Sequence, residues 1–265
     1  MLYVLVISVK MGVVTGFTTK LLHPSMRTRT GSASLRAAQQ SIADVTPVAG
    51  EEGYSFIRDE LRSYAMKLHT KDQAPREGQQ PAQTPVKDWT PGLDNYLCFL
   101  ADSLAVYECM DAIVRSNPTL VGDFGHTGLE RAQALKRDIT WITTEYAPGT
   151  PIPPVGEPGI SYVSFLQGIQ NDVPRFMCHY YNHYFAHTAG GLMIGKKMAK
   201  LLLEGHTLDF YKWQGNVREL MGATKDKIDA LALTWDDYGR RACVEETENC
   251  FKYGGQLNSH FRPKG

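Results

Sequence analysis

The chain is predicted to be all-α, a single helical bundle of about seven helices preceded by an N-terminal segment of a different kind. After Pro47, apolar residues recur at three- and four-residue spacing through most of the sequence, the period of one face of an α-helix. No alternating apolar–polar run of any length interrupts them, and there is no internal repeat. What does interrupt them are two proline-rich stretches, 74–91 and 147–159, where the missing N–H groups and fixed φ of proline forbid regular structure.

The first helix carries Ile57, Leu61, Tyr64 and Leu68 on one stripe and is expected to run on through His69 to Gln73. Beyond the 74–91 connection, which reads as a linker or docking loop, Leu93, Leu97, Leu100, Leu104 and Tyr107 mark the second, stopped by Asn117-Pro118. Thr127-Gly-Leu-Glu130 has the form of a capping box and is expected to open a third helix through Leu135, Ile139 and Ile142. Periodicity returns at Ser161, and Pro174 is expected to kink or restart it. From there a long pattern runs to Gly205 without proline or turn cluster. Residues 216–232 and 235 to about 260 supply the last two helices.

Composition narrows the function classes. Of 265 residues, 43% are apolar, and 28 basic residues balance 28 acidic ones. Such balance, without a basic stripe among aromatics, argues against nucleic acid as a partner. No apolar run approaches the ~18–20 residues of a membrane span. Five cysteines form no CxxC pair; the odd count suits a reducing compartment, with the thiols acting as small buried hydrophobes. No G-x-G-x-x-G lies between a strand and a helix, so no bound flavin or nicotinamide is expected.

The N-terminus is different. Lys10, Lys20, Arg27, Arg29 and Arg36 precede the first acidic residue, Asp44, amid many Ser and Thr. A basic, hydroxyl-rich, acid-poor segment is the composition of an organelle transit peptide. Residues 1–45 are therefore expected to be a disordered targeting segment, and 46–265 the functional domain. The short apolar run 2–7 reads as a weak signal sequence ahead of it.

Two features carry chemistry. His69 stands at the border of an apolar stripe, where it can face a cavity while its helix stays packed; Gln73, four residues on, is placed to bond its second ring nitrogen. The second feature is a helix holding His179, His183 and His187 at i, i+4 and i+8, then Gly190, Gly191 and Gly195. Three imidazoles in a row can bind zinc or copper, or be polar positions on an aromatic helix. Each interior glycine costs about 1 kcal/mol relative to alanine. Three so close together point to something lying against the bare backbone, and the surrounding Tyr, Phe and His suit a large flat apolar ligand with a polar edge.

These residues sit in motifs. Met66-Lys-Leu-His-Thr-Lys-Asp-Gln-Ala74 resembles the proximal helix of plant and algal heme oxygenases, and Phe185-Ala-His-Thr-Ala-Gly-Gly-Leu-Met-Ile-Gly195 resembles their distal helix. Thr127-Gly-Leu-Glu-Arg-Ala132, Phe210-Tyr-Lys-Trp213 and Glu245-Glu-Thr-Glu-Asn-Cys-Phe-Lys-Tyr253 match in the same order, so the resemblance runs from about 54 to 258. It implies a heme-oxygenase-like bundle with heme, both cofactor and substrate, between the two helices. His69 is then the iron ligand. Gly190 and Gly191 let the backbone press on the porphyrin and steer oxidation to one meso carbon. His187, where animal members carry aspartate, organises waters or delivers the proton. Tyr181, Arg62, Lys225 and Lys227 meet the propionates, and Phe251 lines the distal side.

The implied reaction is opening of heme to biliverdin IXα with release of CO and ferrous iron, in a monomer of the plastid stroma reduced by ferredoxin and feeding bilin synthesis. The Gln- and Pro-rich 74–91 connection departs from the more acidic family pattern, which bears on partner docking. Two other readings stand beside this one. The first is a non-catalytic tetrapyrrole-binding relative, against which His69 speaks. The second is a heme-free bundle enzyme: the ExxH pairs of a di-iron centre are absent, and Cys178 alone on the glycine-rich helix is a thin basis for a thiamin-degrading one.

Overall fold

The computed structural model describes residues 53–71, 76–80 and 86–261. The expected targeting segment 1–45, Gln73 and part of the 74–91 connection lie outside them. The described chain is helical throughout, its one extended pairing being an isolated bridge between Thr70 and Gln80.

A wide π turn (Ile57–Leu61) leads into α1 (Arg62–Leu68). Then come α2 (Leu93–Ser116), α3 (Val121–Phe124), α4 (Ala132–Trp141) with a second π turn (Ile142–Tyr146), and α5 (Glu157–Gly168). Next, α6 (Val173–Ala186), a third π turn (His187–Gly191) and α7 (Leu192–Leu202) run on as one rod. The chain closes with α8 (Val217–Ala232), α9 (Asp237–Glu245) and α10 (Thr247–Leu257). Because several segments continue into one another, the number of continuous rods is close to that expected.

Local chemistry explains most boundaries. The carboxylate of Asp172 accepts from the N–H of Arg175, Asn216 from Arg218 and Asp236 from Gly239. Each satisfies a first-turn donor that has no partner within its helix. Pro174 stands in the first turn of α6, where its missing N–H costs nothing, so it restarts rather than kinks the rod.

Three expectations are corrected. Helix α1 stops at Leu68, short of Gln73. The Thr127–Glu130 box does form, Glu130 Oε1 accepting from the Thr127 N–H and hydroxyl, but it closes a turn around Gly128 at φ +81° and the helix begins only at Ala132. The last predicted helix breaks at Glu246 into α9 and α10.

The core is built around α2, which packs lengthwise on α4 and α5, while α6 packs on α9 and α10. Tyr96, Tyr107, Tyr162, Tyr180, Phe56 and Phe176 are fully buried there, each contributing on the order of 2–3 kcal/mol of apolar transfer. Two buried carboxylates tie loops to this core. Asp102 accepts from the Gly156 N–H at 2.6 Å and meets His260 Nε2 at 2.8 Å. A Cβ at Gly159 would fall 2.9 Å from that carboxyl group, so glycine is required there. Asp138 accepts the N–H groups of Asp209 at 2.8 Å and Phe210 at 2.6 Å, which fixes the short turn Asp209–Tyr211.

Asp138→Ala is expected to destabilise the fold by about 2–4 kcal/mol, since it strands two donors at a buried position. A fall in the urea midpoint with unchanged slope checks it; an unchanged midpoint contradicts the latch.

Candidate functional site

His69 caps α1 with ψ 152°, turning the chain out of the helix. The departure is held by backbone pairing with the far side of the connection: Gln79 N–H donates to Lys67 O, Gln80 N–H to His69 O and Lys71 N–H to Gln80 O, each at 3.1 Å. The imidazole Nδ1 lies 2.9 Å from Ala65 O. A carbonyl can only accept, so Nδ1 carries the proton and Nε2 keeps a free lone pair. The hydrogen bond expected between Gln73 and the second ring nitrogen is made instead by a backbone carbonyl four residues before His69. Phe251 of α10, expected on the distal side, stands instead on the proximal one: its ring is edge-on to the His69 imidazole, centroids 5.0 Å apart at 80°.

The three glycines of the α6–α7 rod do different things. A Cβ at Gly190 would meet nothing within 4 Å; this position opens onto free space. One at Gly191 would fall 2.6 Å from His187 Nδ1, and one at Gly195 2.7 Å from the Tyr211 ring. Sequence reasoning attributed all three to one ligand. Gly191 and Gly195 make room for side chains of the protein itself.

The three histidines also part company. His179 is fully buried and uses both nitrogens, Nδ1 with Tyr162 Oη at 2.9 Å and Nε2 with Glu246 Oε1 at 3.1 Å. His187 is buried, its Nε2 2.8 Å from Phe210 O and its ring stacked on Phe210 at 4.0 Å. His183 packs against Tyr107 at 4.6 Å, its Nε2 buried without a partner among the described residues. They do not converge, so the zinc or copper reading of this face has no geometry behind it.

Burial pushes His187 down to about 4, against the opposing pull of the Phe210 carbonyl, and His183 to about 3 with help from the neighbouring imidazoles. Both stay neutral in the fold, whereas unfolded histidine protonates near pH 6.5. Between about pH 6.5 and 4 the unfolded chain therefore binds more protons, and stability falls on acidification through that window. Asp138, raised by burial to about 6, acts in the opposite sense from about pH 6 down to 4, most of the same window. His187→Phe is expected to give a shallower fall than the parent; urea midpoints at pH 7, 5.5 and 4.5 check this, and parallel profiles would contradict it.

Of the remaining candidates, Tyr181 is half-buried against Phe185, ring centroids 4.5 Å apart. Burial raises its phenol to about 12, with the charge of Arg62 opposing, so Arg62 lies on the Tyr181 side. Arg62 also stands 3.9 Å from Glu77, both side chains half-exposed, a pair worth little. The charge of Lys225 is felt by Asp59 in the turn before α1. Lys227 points elsewhere, its Nζ donating to Asp123 O at 2.7 Å.

Sequence reasoning missed the support behind His187. Asp138 fixes the backbone of Phe210, whose carbonyl holds the imidazole. Arg131 reaches the Lys212 carbonyl and lies 4.9 Å over the Trp213 ring. The Phe210–Trp213 motif was the available signal.

An imidazole whose Nδ1 is held by a carbonyl and whose Nε2 has no hydrogen-bond partner among the described residues, beside an aromatic edge, fits a heme iron, and the open space at Gly190 fits a flat macrocycle. The family model described as heme oxygenase matches residues 59–259. The chain belongs to the heme oxygenase family. It is 42% identical over 222 residues to heme oxygenase 1, chloroplastic, of Oryza sativa subsp. japonica, covering 83% of this chain and 75% of that one. With heme oxygenase 3, chloroplastic, of Arabidopsis thaliana it shares 41% over 213 residues, 78% of this chain and 73% of the relative.

Among solved structures, heme oxygenase-2 from Synechocystis sp. PCC 6803 in complex with heme and NO superposes with a TM-score of 0.57 at 19% identity, over 76% of this chain and 81% of that one. That likeness is one of fold. This heme oxygenase is accordingly an all-α, heme-binding enzyme. No helix among its described residues is long and apolar enough to cross a membrane.

Proposed function

We propose that this heme oxygenase binds heme between the end of α1 and the turn joining α6 to α7, and opens it to biliverdin IXα with release of CO and ferrous iron. The observation that carries the site is His69: its Nδ1 is committed to Ala65 O, and its Nε2 has no hydrogen-bond partner among the described residues. Bound heme supplies the O₂-activating iron and is itself the substrate.

The chain's residues then do the rest. His69 would hold the heme iron through Nε2. Gly190, where a Cβ would meet open space, would let the backbone approach the ring closely and so restrict which of its edges is open to reaction. His187 donates from Nε2–H to Phe210 O, which leaves Nδ1 unprotonated. It therefore accepts from a water and orients it; the water, rather than the imidazole, passes the proton on. Arg62, Tyr181 and Lys225 meet the propionates. Lys227 joins them only by releasing Asp123 O.

With no dinucleotide or flavin fingerprint in the sequence, electrons come from a separate carrier. Ferredoxin in the plastid stroma suits the basic N-terminal segment and the chloroplastic names of the relatives. The enzyme works as a monomer, and its product supplies bilin synthesis.

Purified protein given hemin, reduced ferredoxin and O₂ should lose its Soret band and yield biliverdin. A stable heme spectrum under those conditions would instead mark a tetrapyrrole binder, and no heme spectrum at all would overturn the site.

A further inference from the structure

Three of the five cysteines meet at one buried junction: Cys178 from α6, Cys243 from α9 and Cys250 from α10. The Cys250 thiol donates to Cys178 Sγ at 3.6 Å, Asn182 Nδ2 donates to the same sulfur at 3.4 Å, and Thr247 Oγ1 lies 3.4 Å from it. A cysteine serving as a small hydrophobe sits among carbon atoms. Polar groups gathered on one sulfur make a socket for a thiolate.

Burial by itself raises the Cys178 thiol, but hydrogen bonds from Cys243, Cys250 and Thr247 more than reverse this and bring it well below the usual thiol range. Cys250 and Cys243 are pushed up by burial and by Cys178. A sulfur that accepts from a neighbouring thiol in contact has the arrangement of an attacking and a resolving cysteine. Cys178 and Cys243 are fully buried and Cys250 is 6% exposed, so of the three Cys250 lies nearest the surface.

We infer that Cys178 and Cys250 form an oxidative modification site, closing a reversible disulfide between α6 and α10. The oxidant is hydrogen peroxide, the two-electron product of O₂ that escapes from an oxygenase fed single electrons. The Cys178 thiolate attacks one peroxide oxygen and releases hydroxide, leaving a sulfenic acid. The Cys250 thiol then attacks that sulfur and expels water. Two thiols lose two hydrogens, and the peroxide becomes two waters. A dithiol reductant reverses the change. Cys250 adjoins Phe251, which stands on His69, and α6 leads into the Gly190 turn. On the heme-site reading above, the bond fixes α10, whose Phe251 stands beside His69, to α6, which leads into the Gly190 turn, and slows hemin uptake.

The test uses the heme-free protein treated with hydrogen peroxide. A mass loss of about 2 Da (two hydrogens) is expected, with a peptide linking Cys178 to Cys250. Denatured thiols should fall from five to three, the two bonded cysteines subtracted from the total. Dithiothreitol should restore all five. Cys250→Ser should abolish the linked peptide and Cys243→Ser leave it. Five thiols persisting after oxidation, or a Cys178–Cys243 bond in their place, would overturn the assignment without reference to any variant's folding.

Hemin uptake, followed by stopped-flow absorbance, should be slower in the oxidised protein and recover on reduction. Unchanged uptake by a protein carrying the bond would overturn the link to the slot. Failure of the reduced protein to bind hemin would count against the heme site itself, while the mass measurement stands independently.

Discussion

His69→Ala is expected to abolish heme turnover, by more than about 10²-fold, while hemin still binds weakly. The two effects separate because they have different sources. The proposed iron ligation rests on Nε2, which the Ala65 carbonyl keeps aprotic by fixing the proton on Nδ1. Much of the affinity for a porphyrin comes instead from apolar surface removed from water, and that surface survives the substitution. His69 lies beyond the last residue of α1, so the fold should be undisturbed. Hemin titration, far-UV circular dichroism and biliverdin yield check the three claims together. Added imidazole should partly restore turnover, and normal turnover in its absence would contradict the ligand assignment.

The second large effect is expected at Gly190. A side chain there meets open space in the protein alone, so Gly190→Leu should leave thermal stability unchanged or raise it by up to about 1 kcal/mol, the usual penalty of glycine in a helix interior. Hemin binding should nevertheless collapse, or the oxidised ring carbon change, because the branched side chain fills the volume proposed for the porphyrin. Gly191→Ala supplies the contrast. Its Cβ would lie 2.6 Å from His187 Nδ1, displacing an imidazole that is buried and bonded, so stability should fall while the slot stays open. If both variants lose stability and keep hemin, the glycines serve packing only.

Periodicity alone made the helices legible, since an amphipathic stripe is a local property and every long stripe folded as a helix. The two motif-bearing segments were legible for another reason: glycines inside a helix and a histidine at the edge of an apolar stripe both break local rules at local cost. What escaped was set by distant partners. Helix α1 ends at His69 because Gln79 and Gln80 capture its backbone, a pairing across a connection with no strand pattern. His187 turns to Phe210 because Asp138, far away in sequence, fixes that carbonyl. Lys227 resembled a propionate cation by position on its helix, yet a loop carbonyl lies within its reach. The wide π turns carry no compositional mark at all.

One of those turns has a further implication. A π turn accommodates one residue more than an α-helical path between the same points, so His187–Gly191 shifts the angular phase of everything after it. With the extra residue present, Met198 and Ala199 face the interior while Lys196 and Lys200 face water. Removing a single residue from the turn would rotate all of α7 by roughly 100°, driving lysines inward and exposing the methionine. Residue count through this stretch is therefore as constrained as residue identity, and a one-residue deletion should be more damaging than any substitution on its outer face.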